Sequence, residues 1–301
     1  MAVQVLRPAH VRQILSKGGV LPAALVVAWA SGYVAGPLAL RDAPPLAMLA
    51  IRFGLAALVL LGVALLTRAP WPHHRRTIAH IIAAGLLTQG AQFGFAYEGV
   101  YQGVSPAVAA LIIGLMPMLV AAFSGPILGE RLRGTQWAGL LLGFSGVALV
   151  VAQRLSGGNA FEGRAIALVI LALLGSTAGM LYQKRFVAGM DLRTGGFLQA
   201  APAGAVLGLL ALTVEHGRVE LVPAFALSIA WIVIVNSLGA VTVMFVMIRN
   251  GTANRAASTF YLIPPVAAVM TALVLHEHFS AFALLGFAVA SAGVSLASRA
   301  P

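Results

Sequence analysis

The chain offers few groups that catalyse. Its eight carboxylates (Asp42, Glu98, Glu130, Glu162, Asp191, Glu215, Glu220 and Glu277) and seven histidines lie at the ends of apolar runs or between them. It has no cysteine, and no Gly-x-Ser-x-Gly, His-Glu-x-x-His or Walker loop. Nucleophilic, zinc-peptidase and nucleotide chemistry therefore lack their residues. His276-Glu277-His278 resembles a metal cluster on paper, but adjacent residues at a helix end point in different directions. No metal or cofactor is expected. Polar residues within the apolar runs are fewer and more informative. Arg52 is the one full charge there, at a cost of about 3 kcal/mol on insertion scales. It either grips a carboxylate in bidentate fashion, or serves structurally by snorkelling or bonding to exposed carbonyls. Its position, roughly two turns into its run, favours the structural role. Gln89 and Gln92 share a helix face, and Asn236 and Ser237 stand at the equivalent depth later in the chain. Amides donate and accept without charge, as a zwitterion's ammonium and carboxylate require. The plainer reading is glue between helices, worth about 1 kcal/mol or less each.

Aromatic side chains supply the other half of a pocket. Trp29, Tyr33, Phe93, Tyr97, Tyr101, Tyr182 and Tyr261 fall on runs expected to face a centre or a mouth. Such rings stack on a substrate or hold an amine. Tyr97, Tyr101, Trp71 and Trp137 fit better in the interfacial belt, whereas Trp29 and Tyr261 lie deeper. The expected substrate-binding set is Trp29, Tyr33, Gln89, Gln92, Tyr182, Asn236 and Tyr261. Pro117 and Pro264 fall within apolar runs, where proline bends a helix and frees a carbonyl. The glycine pairs Gly32/Gly36, Gly90/Gly94, Gly139/Gly143 and Gly175/Gly179 permit close helix contact.

The elements that hold these residues must be membrane helices. Of the 301 residues, 60% are hydrophobic and 9% charged, and the mean hydropathy is +0.95. A soluble domain carries about a quarter charged residues. Runs of about 20 apolar residues occur at 18–40, 44–67, 77–98, 104–128, 134–153, 163–186, 194–214, 226–248, 254–276 and 280–298. Ten spans are predicted, with a basic N-terminal segment at 1–17 before the first. With the N-terminus in the cytoplasm, fourteen of the 19 basic residues fall on that side, from Arg7 through Arg75, Arg131 and Lys184 to Arg299. Only Arg41, Arg154, Arg164 and Arg218 fall outside. This bias accounts for the net charge of +11 without nucleic acid. Both termini are expected in the cytoplasm.

An internal repeat organises the spans. Leu115-Met116-Pro117 stands thirteen residues before Glu130, and Leu262-Ile263-Pro264 thirteen before Glu277. Both offsets are 147 (264 − 117 and 277 − 130). The same offset sets Gly32 on Gly179, Arg52 on Gln199 and Gln89 on Asn236, and carries Gly139 to Gly286 and Gly146 to Gly293. Five spans per copy is an odd number, so the second copy enters the membrane inverted. The basic turn Glu130-Arg131-Leu132-Arg133 and its arginine-free partner Glu277-His278-Phe279-Ser280 agree with that. The predicted fold is an all-α membrane protein: two inverted five-helix repeats, 18–153 and 163–298, around a central cavity with the substrate site near the midplane.

These features resemble the drug/metabolite transporter superfamily of the EamA type. The resemblance rests on Trp29-Ala30-Ser31-Gly32, Ile51-Arg52-Phe53, Leu115-Met116-Pro117 through Gly129-Glu130-Arg131, and the second copy to Glu277, Gly286 and Gly293. It covers essentially the whole chain and is nearest to YddG-type exporters of aromatic and other amino acids. It implies a bacterial inner-membrane exporter with helices of both halves lining the cavity and spans 5 and 10 packed together. It also implies a largely structural role for Arg52. The expected activity is alternating-access export of small metabolites, amino acids first, by a monomer in the lipid bilayer. No intramembrane carboxylate relay is expected, because no ionisable acid lies mid-span. The rivals are export of neutral drugs, sugars or nucleosides, and, outside transport, a lipid-modifying enzyme or a scaffold.

Overall fold

The computed structural model describes residues 20–128, 134–155, 160–215, 218–240, 243, 247 and 262–298. Among these, all regular structure is helical. Eight helices are long and apolar enough to cross a bilayer: α1 Val20–Ala39, α2 Pro45–Leu66, α3 Arg75–Tyr101, α4 Pro106–Ile127, α5 Gly134–Gln153, α6 Glu162–Phe186, α7 Leu192–Val214 and α8 Pro223–Ala240. Two shorter apolar helices follow, α9 Ile263–Leu275 and α10 Ala281–Gly293. Helices are the open solution here, since hydrocarbon offers no partner to a stray backbone amide. Outward-facing leucines such as Leu58, Leu66, Leu141, Leu209 and Leu212 stay exposed on the surface, as lipid-facing positions should.

The helices pair as a two-fold arrangement requires. α1 packs on α8 and α9, and α6 packs on α3 and α4. The 147-residue offset relates α1 to α6, α3 to α8 and α4 to α9, so the second set of contacts repeats the first. Mates also meet directly: α2 packs on α7, and α5 on α10. The α5/α10 crossing is close because Gly146 faces the backbone of Gly286 and Ala290, while Gly293 faces that of Gly139 and Gly143. A methyl group at either glycine has nowhere to go.

The α2/α7 pair is fastened at both ends. At one end the Glu215 carboxylate, just past α7, accepts from the first free amides of α2, Leu46 N at 2.7 Å and Ala47 N at 2.9 Å. This is the charge that a helix N-terminus favours. At the other end Arg193 Nη1 donates to Thr67 Oγ1 (2.8 Å) and Thr194 Oγ1 to the Pro70 carbonyl (2.9 Å). The start of each helix therefore lies beside the end of its mate. Ser280 Oγ repeats the relation by donating to Gln153 Oε1 at 2.8 Å, joining the start of α10 to the end of α5. Antiparallel mates are what two inverted halves produce.

Several helices are interrupted. α1 breaks at Ser31 and α4 between Ile113 and Met116. Pro117 stands at the start of the second α4 segment, and the break carries Gly114 against the Pro264 ring of α9. Pro264 itself lies in the first turn of α9. α3 and α8 each contain a π-turn, Leu86–Ala91 and Ile232–Ala240. The offset carries 86–91 to 233–238, so the two irregularities are mates. Gly90, read from sequence as a packing glycine, sits in the first π-turn, where only Leu86 of its own helix comes within 4.0 Å of an added methyl group.

Asp191 caps α7, its Oδ1 accepting from Arg193 N at 2.9 Å and Thr194 N at 3.4 Å. The Arg193 side chain bonds the same carboxylate and, with the backbone amides, holds it below the usual carboxylate range. A carboxyl lowered in the folded state contributes fully above its unfolded value and loses that contribution as pH falls through the lowered one. Asp191→Ala is expected to cost about 1 kcal/mol at neutral pH. The difference from wild type should shrink on acidification below about pH 4, measured by thermal unfolding in detergent.

Candidate functional site

The two π-turns set the polar groups of the bundle. A π-turn inserts a residue and re-aims its neighbours, and such turns recur at functional sites. In α3 it presents Gln89, whose Nε2 donates to Gln199 Oε1 of α7 at 3.5 Å. Gln199 Nε2 in turn donates to Gln183 Oε1 of α6 at 3.2 Å. Three helices are thus joined by a ladder of amides, with Gln199 buried in the middle. Gln92 is half-buried one turn on, its backbone against Gly175.

The mate turn in α8 is built differently. Asn236 is buried, and its Nδ2 donates to the α1 carbonyls of Ala28 (2.6 Å) and Trp29 (3.4 Å). The Ala28 carbonyl also accepts from Ser31 Oγ (2.7 Å), which accepts from Trp231 Nε1 (2.9 Å). The break in α1 at Ser31 is therefore where α8 attaches. Gly32 makes room, since a methyl group there would lie 2.8 Å from Asn236 Nδ2. Asn236 Oδ1 and Ser237 Oγ are buried without a hydrogen-bond partner.

Arg52 does not snorkel to the surface. It is 6% exposed, with its guanidinium carbon 4.3 Å from the Phe93 ring centre and 5.1 Å from that of Phe53. Its Nε has no hydrogen-bond partner. Tyr97 closes the group beside it, with its hydroxyl against Gly36 of α1. Tyr97 was expected in the interfacial belt; at 9% exposure it is a buried wall of this cluster instead. The belt reading suits Tyr101 and Trp137, which are exposed.

Trp29 and Tyr33 stand one turn apart on α1, packed against Ala110 of α4 and Ile263 and Ala267 of α9. Trp29 also reaches Leu25, Ala240 and Met247. Tyr182 lies elsewhere: its hydroxyl meets His80 Nδ1 at 2.7 Å, and Phe186 stacks on the His80 ring at 4.8 Å. Tyr261 lies outside the described residues. The structure therefore gathers Trp29, Tyr33 and Asn236 about α1, joins Gln89 to α6 and α7, and sets Tyr182 in an aromatic group at the end of α6. Gln183 and Trp231 were missed by sequence reasoning, and Ser31 entered it only as part of the Trp29-Ala30-Ser31-Gly32 motif. Gln199 carried a signal, since it is the offset mate of Arg52.

Broken helices, mated π-turns and interior amides between inverted halves are the architecture expected of a membrane transporter. The chain matches the EamA-like transporter family over residues 16–152 and 163–299 and belongs to it. It is 26% identical over 264 residues to the uncharacterized inner membrane transporter YedA of Escherichia coli (strain K12), covering 86% of this chain and 83% of that protein. It is 24% identical over 288 residues to a probable amino-acid metabolite efflux pump of the same strain, covering 92% and 93%. It is 33% identical over 123 residues to the aromatic amino acid exporter YddG of Ancylobacter novellus, covering 38% and 39%. The chain is accordingly a multi-pass membrane transporter of that family.

Removing the central amide should test the ladder. Gln199→Leu leaves Gln89 and Gln183 each short of a partner and is expected to lower stability by about 1–2 kcal/mol. Ser237→Ala removes a hydroxyl that bonds nothing and should leave the unfolding temperature unchanged. Thermal unfolding of the two variants in one detergent makes the comparison.

Proposed function

We propose that this transporter exports small amphipathic metabolites, with amino acids, aromatic ones included, as the leading substrate class. The observation that carries the reading is the pair of mated π-turns, which bring Gln89 and Asn236 to equivalent depths on opposite halves. Neutral amides at that depth suit a zwitterion that carries no net charge through hydrocarbon. Trp29 and Tyr33 supply apolar surface for its side chain. The names of two relatives, an amino-acid metabolite efflux pump and an aromatic amino acid exporter, support the same class.

Alternating access is the working mechanism, in a monomer, with the breaks at Ser31 and before Pro117 absorbing the bend. The carrier uses no carboxylate relay within the membrane. The termini face the cytoplasm, in keeping with the basic segments. Arg131 and His278 then lie on opposite sides, and cysteine substituted at each in turn should react with an impermeant reagent from opposite faces. Reaction from one face at both positions overturns the orientation.

Counterflow of labelled amino acids in proteoliposomes tests the substrate class. Wild type should accumulate label when preloaded with phenylalanine or leucine. Gln89→Ala and Trp29→Ala should lower that flux at least several-fold while still folding and eluting as wild type does, Gln89→Ala with only the small loss of thermal stability that an unpaired Gln199 Oε1 brings. Normal flux in both variants removes these residues from the pathway.

A further inference from the structure

We infer that Arg52 and the π-turn of α8 form a one-sided subsite for the polar head of an α-amino acid, Arg52 taking the carboxylate and Asn236 Oδ1 with Ser237 Oγ taking the ammonium. This rests on the export reading and adds to it which half holds the head, and by which atoms.

Among the described residues four buried side-chain polar atoms lack a hydrogen-bond partner, and three of them, Arg52 Nε, Asn236 Oδ1 and Ser237 Oγ, lie on helices packed against each other. Their neighbours are shared. α2 packs on the α8 π-turn. Val233, one turn before Asn236, and Leu238, beside Ser237, pack in the same cluster as Phe53, Phe93 and Tyr97, the rings that cover Arg52. α1 supplies a ruler. Gly32 faces the Asn236 amide and Gly36 faces the Tyr97 hydroxyl. These glycines are four residues apart on one helix face, a rise of about 6 Å. The amide and the aromatic cover of the guanidinium are therefore about one turn apart, the scale of an amino acid's head held between two poles.

The chemistry of the poles is complementary. A guanidinium only donates, and a carboxylate accepts its donors. Arg52 forms no ion pair with a side chain among the described residues. The orientation of Asn236 is fixed, because its Nδ2 points at the Ala28 and Trp29 carbonyls. Oδ1 is left as a pure acceptor, and Ser237 adds a second oxygen beside it. An ammonium donates to both. The mirror position in the other half offers neither pole: Gln199 stands where Arg52 does, and Gln89 is already bonded to it. The head therefore docks on the α2/α8 side rather than on the two-fold axis.

Three probes separate the poles in proteoliposome transport: L-phenylalanine, phenethylamine, which lacks the carboxylate, and 3-phenylpropionate, which lacks the ammonium. Wild type should take phenylalanine with a KM about ten-fold or more below that of either analogue. Arg52→Gln installs the residue that its mate already carries. It should raise the KM for phenylalanine about ten-fold and leave phenethylamine unchanged, and Arg52→Lys should restore part of the difference. Ser237→Ala should weaken phenylalanine and phenethylamine but not 3-phenylpropionate, and it decides the matter should Arg52→Gln fail to fold. Selectivity unchanged in Ser237→Ala, or equal weakening of all three probes, overturns the subsite while leaving export intact. Wild type that moves none of the three overturns the export reading, and the subsite with it.

Discussion

Hydrocarbon supplies no hydrogen bonds, and that absence governs the rest of this molecule. Each span must close its own backbone ladder, so helices are the only element described. Several of the polar side chains that remain inside find partners where a helix is irregular. The break in α1 exposes carbonyls that receive Asn236, and the π-turn in α3 aims Gln89 at α7. Irregular backbone and interior polarity thus coincide because each satisfies the other.

The two halves share a plan but not its chemistry. Mated helices keep their packing partners, and α2 and α7 lie antiparallel as inversion demands. Yet the mated positions 52 and 199 hold a guanidinium and an amide. The first closes under phenylalanine rings, whereas the second joins a bonded ladder. Duplication supplied a symmetric scaffold, and side-chain replacement made one side of it polar in a different way from the other. A substrate with distinct ends requires that kind of difference.

Much of the scaffold was legible in the sequence. Apolar run length gives the spans, and a fixed offset between Pro117 and Pro264 gives the repeat and, through its odd span count, the inversion. The α5/α10 contact came from the family resemblance, and the structure shows that Gly146 and Gly293 are the residues that let the two helices approach. The site was read less fully. A π-turn has no residue signature, so nothing in Leu86–Ala91 or Ile232–Ala240 foretold it. Tyr97 has the composition of an interfacial residue and was read as one, because only the fold reveals Gly36 opening a slot for its ring. Tyr182 looked like a cavity residue by span alone, but its hydroxyl meets His80, about two and a half turns from Gln89 on α3, toward the helix end.

The fastening of α2 to α7 has a mechanical consequence. Glu215 locks one end of the pair and Arg193 with Thr194 the other, so the two helices form a stiff strut that spans both halves. Arg52 and Gln199 ride on that strut and keep a constant separation whichever mouth is open. Under the proposed export reading, the remaining helices would move past this fixed pair, and the carboxylate held by Arg52 would stay on the part that does not travel.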